Sequence, residues 1–255
     1  MNANKVEKSS ALLASRALGD EAMSDHFFEN IRGGLIVSCQ ALEDEPLHGS
    51  DMMAKMALAA DQGGAVCIRA NSVQDIAAIK KATKLPVIGI IKRDYEDSEI
   101  YITPTLREVR ELMDVGVDVI ALDATGRSRP GGETLEELVT FMKSHGQKVM
   151  ADISTLEEAL YAESIGVSCV STTLSGYTPY SPRQKDPDFK LLQEAVRQIR
   201  IPVIAEGRIH TPEQAAYSLE LGAHAVVVGS AITRPKLITE RFTHAIRDVR
   251  KGQVH

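Results

Sequence analysis

Pro86-Val87-Ile88-Gly89-Ile90-Ile91-Lys92-Arg93 is an apolar run that opens on a proline and ends on two cations. It reads as a buried strand. Proline is tolerated at the first position of a strand, and the β-branched residues behind it favour extended backbone. Apolar side chains at successive positions fill both faces, so the strand is covered on both sides, as in a parallel sheet backed by helices. A lysine released at the exit of such a strand is costly to bury unless a partner or ligand uses its charge. Taken alone, Lys92 reads equally well as a rim residue whose stem follows the apolar surface while its ammonium reaches water.

The recurrence of the pattern decides between these readings. Further strand candidates are 34–38, 65–68, 117–122, 148–152, 168–172, 202–205 and 225–228, which with 87–91 makes eight. Amphipathic stretches of helical period alternate with them at 51–61, 73–82, 106–115, 135–144, 156–164, 189–199, 212–221 and 237–249. Thr105, Thr155 and Thr211 each stand eleven residues before a glycine, Gly116, Gly166 or Gly222, and a strand follows shortly after. The threonine suits a helix N-cap and the glycine the left-handed residue that ends the helix. Such repetition in one domain-sized chain predicts an α/β fold of the (β/α)8 TIM-barrel type. An open doubly wound sheet would carry a glycine fingerprint after its first strand, where Ser38-Cys39-Gln40 stands instead. The expected division is an N-terminal extension over 1–30, with a helix near 20–30 covering the bottom of the barrel, and a barrel domain over 31–255.

Composition narrows the function classes. The 255 residues are 44% apolar, enough for a sizeable core, with no run long enough to cross a bilayer and no signal-type segment at the start. A net charge of -6 disfavours nucleic acid, so an anionic ligand would need locally concentrated cations. Three widely spaced cysteines argue against a disulfide framework and for a reducing, cytoplasmic setting. The seven histidines have no metal-ligand spacing, and no metal site is expected.

In a barrel the C-terminal strand ends converge on one mouth. Here they carry Gln40, Arg69, Lys92, Asp123, Asp152, Thr172 with Thr173, Glu206, and Gly229 with Ser230. Lys92 and Glu206 fall on strands 3 and 7, which face each other, so they can flank a small substrate and move a proton α to a carbonyl. The alternative is a salt bridge between two loops. Glu206-Gly207-Arg208 and Gly229-Ser230-Ala231 place small residues where such barrels bind phosphate, with Arg234 as a cationic clamp. Arg127 and Arg129 follow Asp123, either as partners for mouth carboxylates or as plain loop residues. The long loop 175–182, with Tyr177 and Tyr180, reads as a lid.

At these strand ends the chain resembles the N-acetylmannosamine-6-phosphate 2-epimerase family of bacterial sialic-acid catabolism. The resemblance rests on Leu-Ile-Val-Ser-Cys-Gln-Ala-Leu ending at Leu42, Ile-Lys-Arg around Lys92, Leu-Asp-Ala-Thr at 122–125 and Ala-Asp-Ile-Ser at 151–154. It continues through Thr-Leu-Ser-Gly-Tyr-Thr at 173–178, Ala-Glu-Gly-Arg at 205–208 and Gly-Ser-Ala-Ile-Thr-Arg-Pro at 229–235. The resemblance implies a cofactor-free epimerisation at C2 of a sugar phosphate. Lys92 and Glu206 would be its catalytic pair, and Gln40, Arg69 and Asp152 would hold the sugar. Arg234 with the Gly207, Gly229 and Ser230 backbone would hold the phosphate, and Asp123, Arg208, Thr173 and Tyr177 are further candidates. The other readings are a Schiff-base aldolase or decarboxylase with Lys92 as nucleophile, and a non-catalytic barrel that binds a sugar phosphate to regulate a partner. Two-fold pairing dominates soluble homo-oligomers, so a homodimer is expected.

Overall fold

The computed structural model describes residues 26–252, in which eight parallel strands close into a barrel in sequence order. They are β1 Leu35–Cys39, β2 Cys67–Asn71, β3 Val87–Ile90, β4 Val119–Asp123, β5 Lys148–Asp152, β6 Cys169–Ser171, β7 Val203–Glu206 and β8 Ala225–Val228. The helices are α1 Phe27–Ile31, α2 Ser50–Gln62, α3 Val73–Ala82, α4 Leu106–Val115, α5 Leu135–Ser144, α6 Leu156–Ser164, α7 Phe189–Gln198, α8 Pro212–Glu220, α9 Ser230–Thr233 and α10 Pro235–Gly252.

Alternation along each strand builds two cores. Outward residues such as Val37, Ile68, Val87, Ile120, Leu122 and Val226 pack beneath the helices. Inward residues fill the barrel itself, among them Ile36, Cys67, Ile88, Val119, Met150, Cys169, Ile204 and Ala225. Phe27 and Ile31 of α1 join that inner core. Helix α1 sits at the N-terminal end of the strands, because His224, just before β8, contacts the Phe28 carbonyl through Nε2 at 2.6 Å. This is the covering helix expected at the barrel's foot; the extension ahead of residue 26 lies outside the described residues.

The repeat unit is realised as read. The hydroxyls of Thr105, Thr155 and Thr211 cap α4, α6 and α8, the first two in full capping boxes with Glu108 and Glu158. Gly116, Gly166 and Gly222 all take positive φ at the far ends.

The main departure is at β2, expected over 65–68 and found at Cys67–Asn71. Ala65 and Val66 belong to the turn, with their N–H groups bonded to Ala60 and Leu35 carbonyls. The strand continues through Arg69, which pairs with Ile88 of β3 and Ser38 of β1 in the ladder. A charge that would ordinarily end an apolar run stays inside this strand because carboxylates from other strands meet it.

Candidate active site

The inward positions towards the C-terminal strand ends are polar on most strands: Ser38, Arg69 with Asn71, Asp123, Asp152, Ser171 and Glu206. Arg69 is the centre of this crown and is 1% exposed. Its Nη1 and Nη2 donate to Asp152 Oδ1 and Oδ2 at 3.0 and 2.5 Å, and Nη1 also donates to Glu206 Oε2 at 2.7 Å. The planar fork of the guanidinium suits this bidentate geometry. Thr173 Oγ1 lies 2.7 Å from Asp152 Oδ1 and 3.0 Å from Glu206 Oε2, closing the network from the turn after β6. Burial, more than the opposing pull of Arg69, raises the Glu206 carboxyl above the usual carboxylate range, and the charge of Asp152 adds to that rise.

Lys92 leaves β3 on the opposite side of the barrel. Its backbone N–H donates to Asn71 Oδ1 at 2.8 Å, and its backbone bridges to Ile102 on the returning segment. Arg93 turns the other way, pairing with Glu108 and with Glu111 at 3.1 Å, so only one of the two cations faces the mouth. Burial, with Arg234 and Arg69 nearby, lowers the Lys92 ammonium to about 8 against the weaker pull of Glu206 and Glu45. At neutral pH a useful fraction of this amine is the free base.

Above the crown opens a cavity of about 1320 Å³. Gln40, Arg69, Lys92, Thr173 and Glu206 line it, together with Gly207, Arg208, Gly229, Ser230 and Arg234. Gly229 stands at the head of the short helix α9, where an added Cβ would come within 3.3 Å of Ser38 Cβ. Thr233 Oγ1 donates to the Ser38 carbonyl at 2.8 Å, holding α9 against β1. Arg234 Nη2 meets Glu45 Oε1 at 2.9 Å, which ties the loop after β1 to the same wall. Arg208, at φ 57°, bonds the Ser175 and Asp186 carbonyls and lies over the Tyr177 ring. Residues 175–177 are thus anchored to the loop after β7.

The family described as "Putative N-acetylmannosamine-6-phosphate epimerase" (NanE) matches residues 53–248 of the chain. The chain belongs to the NanE family. A curated relative from Clostridium perfringens strain 13, described as "Putative N-acetylmannosamine-6-phosphate 2-epimerase", is 59% identical over 217 residues, covering 85% of this chain and 98% of its own. Its counterpart from Clostridioides difficile strain 630 is 59% identical over 218 residues, covering 86% and 98%. A solved structure of the N-acetylmannosamine-6-phosphate 2-epimerase from Clostridium perfringens superposes with a TM-score of 0.85 over 86% of this chain and 96% of that one. Thiamine phosphate pyrophosphorylase from Pyrococcus furiosus, 17% identical at a TM-score of 0.53, shares the fold alone.

Three of the residues expected at the mouth do not line the cavity of this NanE member; one is Thr172, which is buried with its hydroxyl on the Glu206 backbone. Asp152 is fully buried beneath it, its oxygens taken by Arg69 and Thr173. Asp123 is also fully buried; Thr125 occupies one of its oxygens and Arg127 the other, at 2.6 Å. Tyr180 likewise turns away, donating to Glu158 at 2.7 Å. Conversely, Ser38, His48, Asn71, Tyr101 and Thr233 line the cavity. Asn71 was hidden by the misplaced end of β2. Ser171 was hidden by its small size inside an apolar strand.

Proposed function

We propose that the chain epimerises N-acetylmannosamine 6-phosphate to N-acetylglucosamine 6-phosphate without a cofactor. In the open-chain sugar the C2 proton is α to the C1 aldehyde, so a base can remove it and leave an enolate-type intermediate. The observation that carries this reading is Lys92, a cavity lysine lowered to about 8 and facing Glu206 from the opposite strand. Lys92 takes the C2 proton, and Glu206 is the second proton-handling group on the same sugar. Gln40 and Arg69 bind sugar oxygens, and the buried cation of Arg69 favours the developing negative charge. Asp152 orients Arg69 rather than touching the sugar. The Gly207, Gly229 and Ser230 backbone, with Arg234, receives the phosphate, and Arg208 with Tyr177 closes the outer side.

The test is a proton NMR time course in deuterium oxide with N-acetylmannosamine 6-phosphate. Product carrying deuterium at C2 supports deprotonation. Absence of both conversion and exchange overturns the reading, and a borohydride-trapped adduct on Lys92 would replace it with Schiff-base chemistry.

We further propose a cytoplasmic homodimer. Among the described residues no helix is long and apolar enough to cross a membrane. Phe242, Ile246 and Val249 form an exposed apolar stripe on α10, the surface available to a second copy. Sedimentation equilibrium at micromolar concentration checks the assembly state.

A further inference from the structure

We infer that the hydroxyls of Ser171 and Thr173 are positioning groups that divide the two oxygens of Glu206, fixing Oε2 in the protein and leaving Oε1 as the oxygen that exchanges a proton with substrate. The inference deepens the epimerase reading and rests on it for the identity of the substrate.

The end of β6 grips Glu206 twice. Thr172 Oγ1 donates to the Glu206 carbonyl at 2.9 Å and accepts its N–H at 3.1 Å, which sets the backbone. The side chain is then met from both sides of Thr172: Ser171 Oγ lies 3.3 Å and Thr173 Oγ1 3.0 Å from Oε2. Arg69 Nη1 reaches the same oxygen at 2.7 Å. All three contacts converge on one atom; Arg69 donates to it in any arrangement, while Thr173 divides its single proton between Oε2 and Asp152 Oδ1. Among the described residues no hydrogen bond reaches Oε1, and the Glu206 side chain keeps 13% exposure towards the cavity it lines.

This asymmetry has a chemical consequence. A proton placed on Oε2 would point at the Arg69 N–H, which has no lone pair, and at two hydroxyls that would have to turn their own protons away to receive it. A proton on Oε1 meets no such conflict and faces the ligand. Each hydroxyl has one proton to give, and Thr173 is also 2.7 Å from Asp152 Oδ1 and 2.9 Å from Ser171 Oγ. Two hydroxyl donors therefore serve two carboxylates, and losing either leaves a buried oxygen short of a partner. The charged groups facing Glu206 are Arg69 from β2, Lys92 after β3 and Asp152 from β5. The two hydroxyls lower its carboxyl against burial and against Asp152, so their removal shifts it further upward.

The experiment is a carboxyl-carbon NMR titration of protein labelled with 13C at glutamate Cδ, with Glu206→Gln used to assign the Glu206 signal. Ser171→Ala and Thr173→Val are each expected to raise its midpoint by about one pH unit, and Thr173→Ser to leave it near wild type. In parallel, Ser171→Ala is expected to lower kcat with KM nearly unchanged, since the Ser171 side chain is fully buried and does not line the cavity. Midpoints that stay at the wild-type value in both variants overturn the inference. So does a Thr173→Ser shift as large as that of Thr173→Val. Because the titration needs no turnover, an inactive wild type would count against the epimerase reading alone.

Discussion

Arg69 and Asp152 meet as a two-pronged pair beneath the cavity floor, with Nη1–Oδ1 at 3.0 Å and Nη2–Oδ2 at 2.5 Å. Both side chains are removed from water, so each is the other's replacement for solvation. Removing Asp152 leaves the buried guanidinium with Glu206 alone, so the cost is expected towards the lower end of the about 3–5 kcal/mol of a broken buried pair. Asp152→Ala is therefore expected to lower the urea midpoint by a corresponding amount. Asp152→Asn, which keeps the shape and one acceptor, is expected to lose less. The chemistry suffers in both, because the guanidinium is left to swing towards Glu206, its remaining anionic partner.

The pH dependence of turnover follows from Lys92. Its ammonium is lowered to about 8 chiefly by burial, so below that pH the free base falls tenfold per unit. With N-acetylmannosamine 6-phosphate as substrate, kcat/KM is expected to climb through neutral pH and level off above about 8. Lys92→Arg should not restore activity, since a guanidinium does not give up its proton in this range. An initial-rate profile from pH 6 to 9.5 checks both. A flat profile would remove Lys92 from the base role.

The same burial makes Lys92 a cost to the fold. Its folded value of about 8 lies below the ordinary 10.5, so the unfolded chain binds the proton more tightly. Wild-type stability therefore rises with pH between these two values, and below about 8 the penalty is fully present. Lys92→Met fills the same space without the charge. It is expected to be inactive yet more stable at pH 7, by on the order of 1–3 kcal/mol. The gain should fade as the pH approaches 10.5, and paired denaturation curves at pH 7 and 10 test that convergence.

What could be read from the sequence was what neighbouring residues determine. Helices 73–82, 106–115, 135–144 and 156–164 and strand 148–152 match the structure to the residue, because apolar period is a local signal and so are the serine or threonine caps of the helices. Lys92 and Glu206 were legible because each follows an uninterrupted apolar run. Arg69 was placed at the end of β2 rather than inside it, since nothing near it in the chain announces that Asp152 and Glu206 will neutralise it from across the barrel. Asp123 looked like a mouth residue for the opposite reason. Its partner Arg127 is only four residues on, yet whether such a pair closes or opens towards a ligand depends on packing above it. Asn71 and Ser171 act through contacts 21 and 35 residues away in sequence, to Lys92 N–H and to Glu206 Oε2, and no local pattern marks them.

Gly89 shows how tightly β3 is set against its helix. It faces outward from β3, and an added Cβ would lie 2.6 Å from Val117 Cγ1 and 2.9 Å from Leu112 Cδ2. Both neighbours are buried, so neither has space to withdraw into. Gly89→Ala is expected to cost about 1–3 kcal/mol through overpacking. It should also displace β3 towards the barrel axis and carry Lys92, three residues on, away from its set position. Misplacement on the scale of an ångström costs a catalytic group about 10²-fold, so kcat should fall far more than stability alone would suggest. The added methyl has one obvious source of relief. Gly89→Ala combined with Val117→Ala should recover both stability and turnover relative to Gly89→Ala, giving a favourable coupling in a double-mutant cycle. If the two substitutions were merely additive, Val117 would not be what holds β3, and the position of Lys92 would have to be set elsewhere, with the Asn71 side chain on the Lys92 N–H as the next contact to remove.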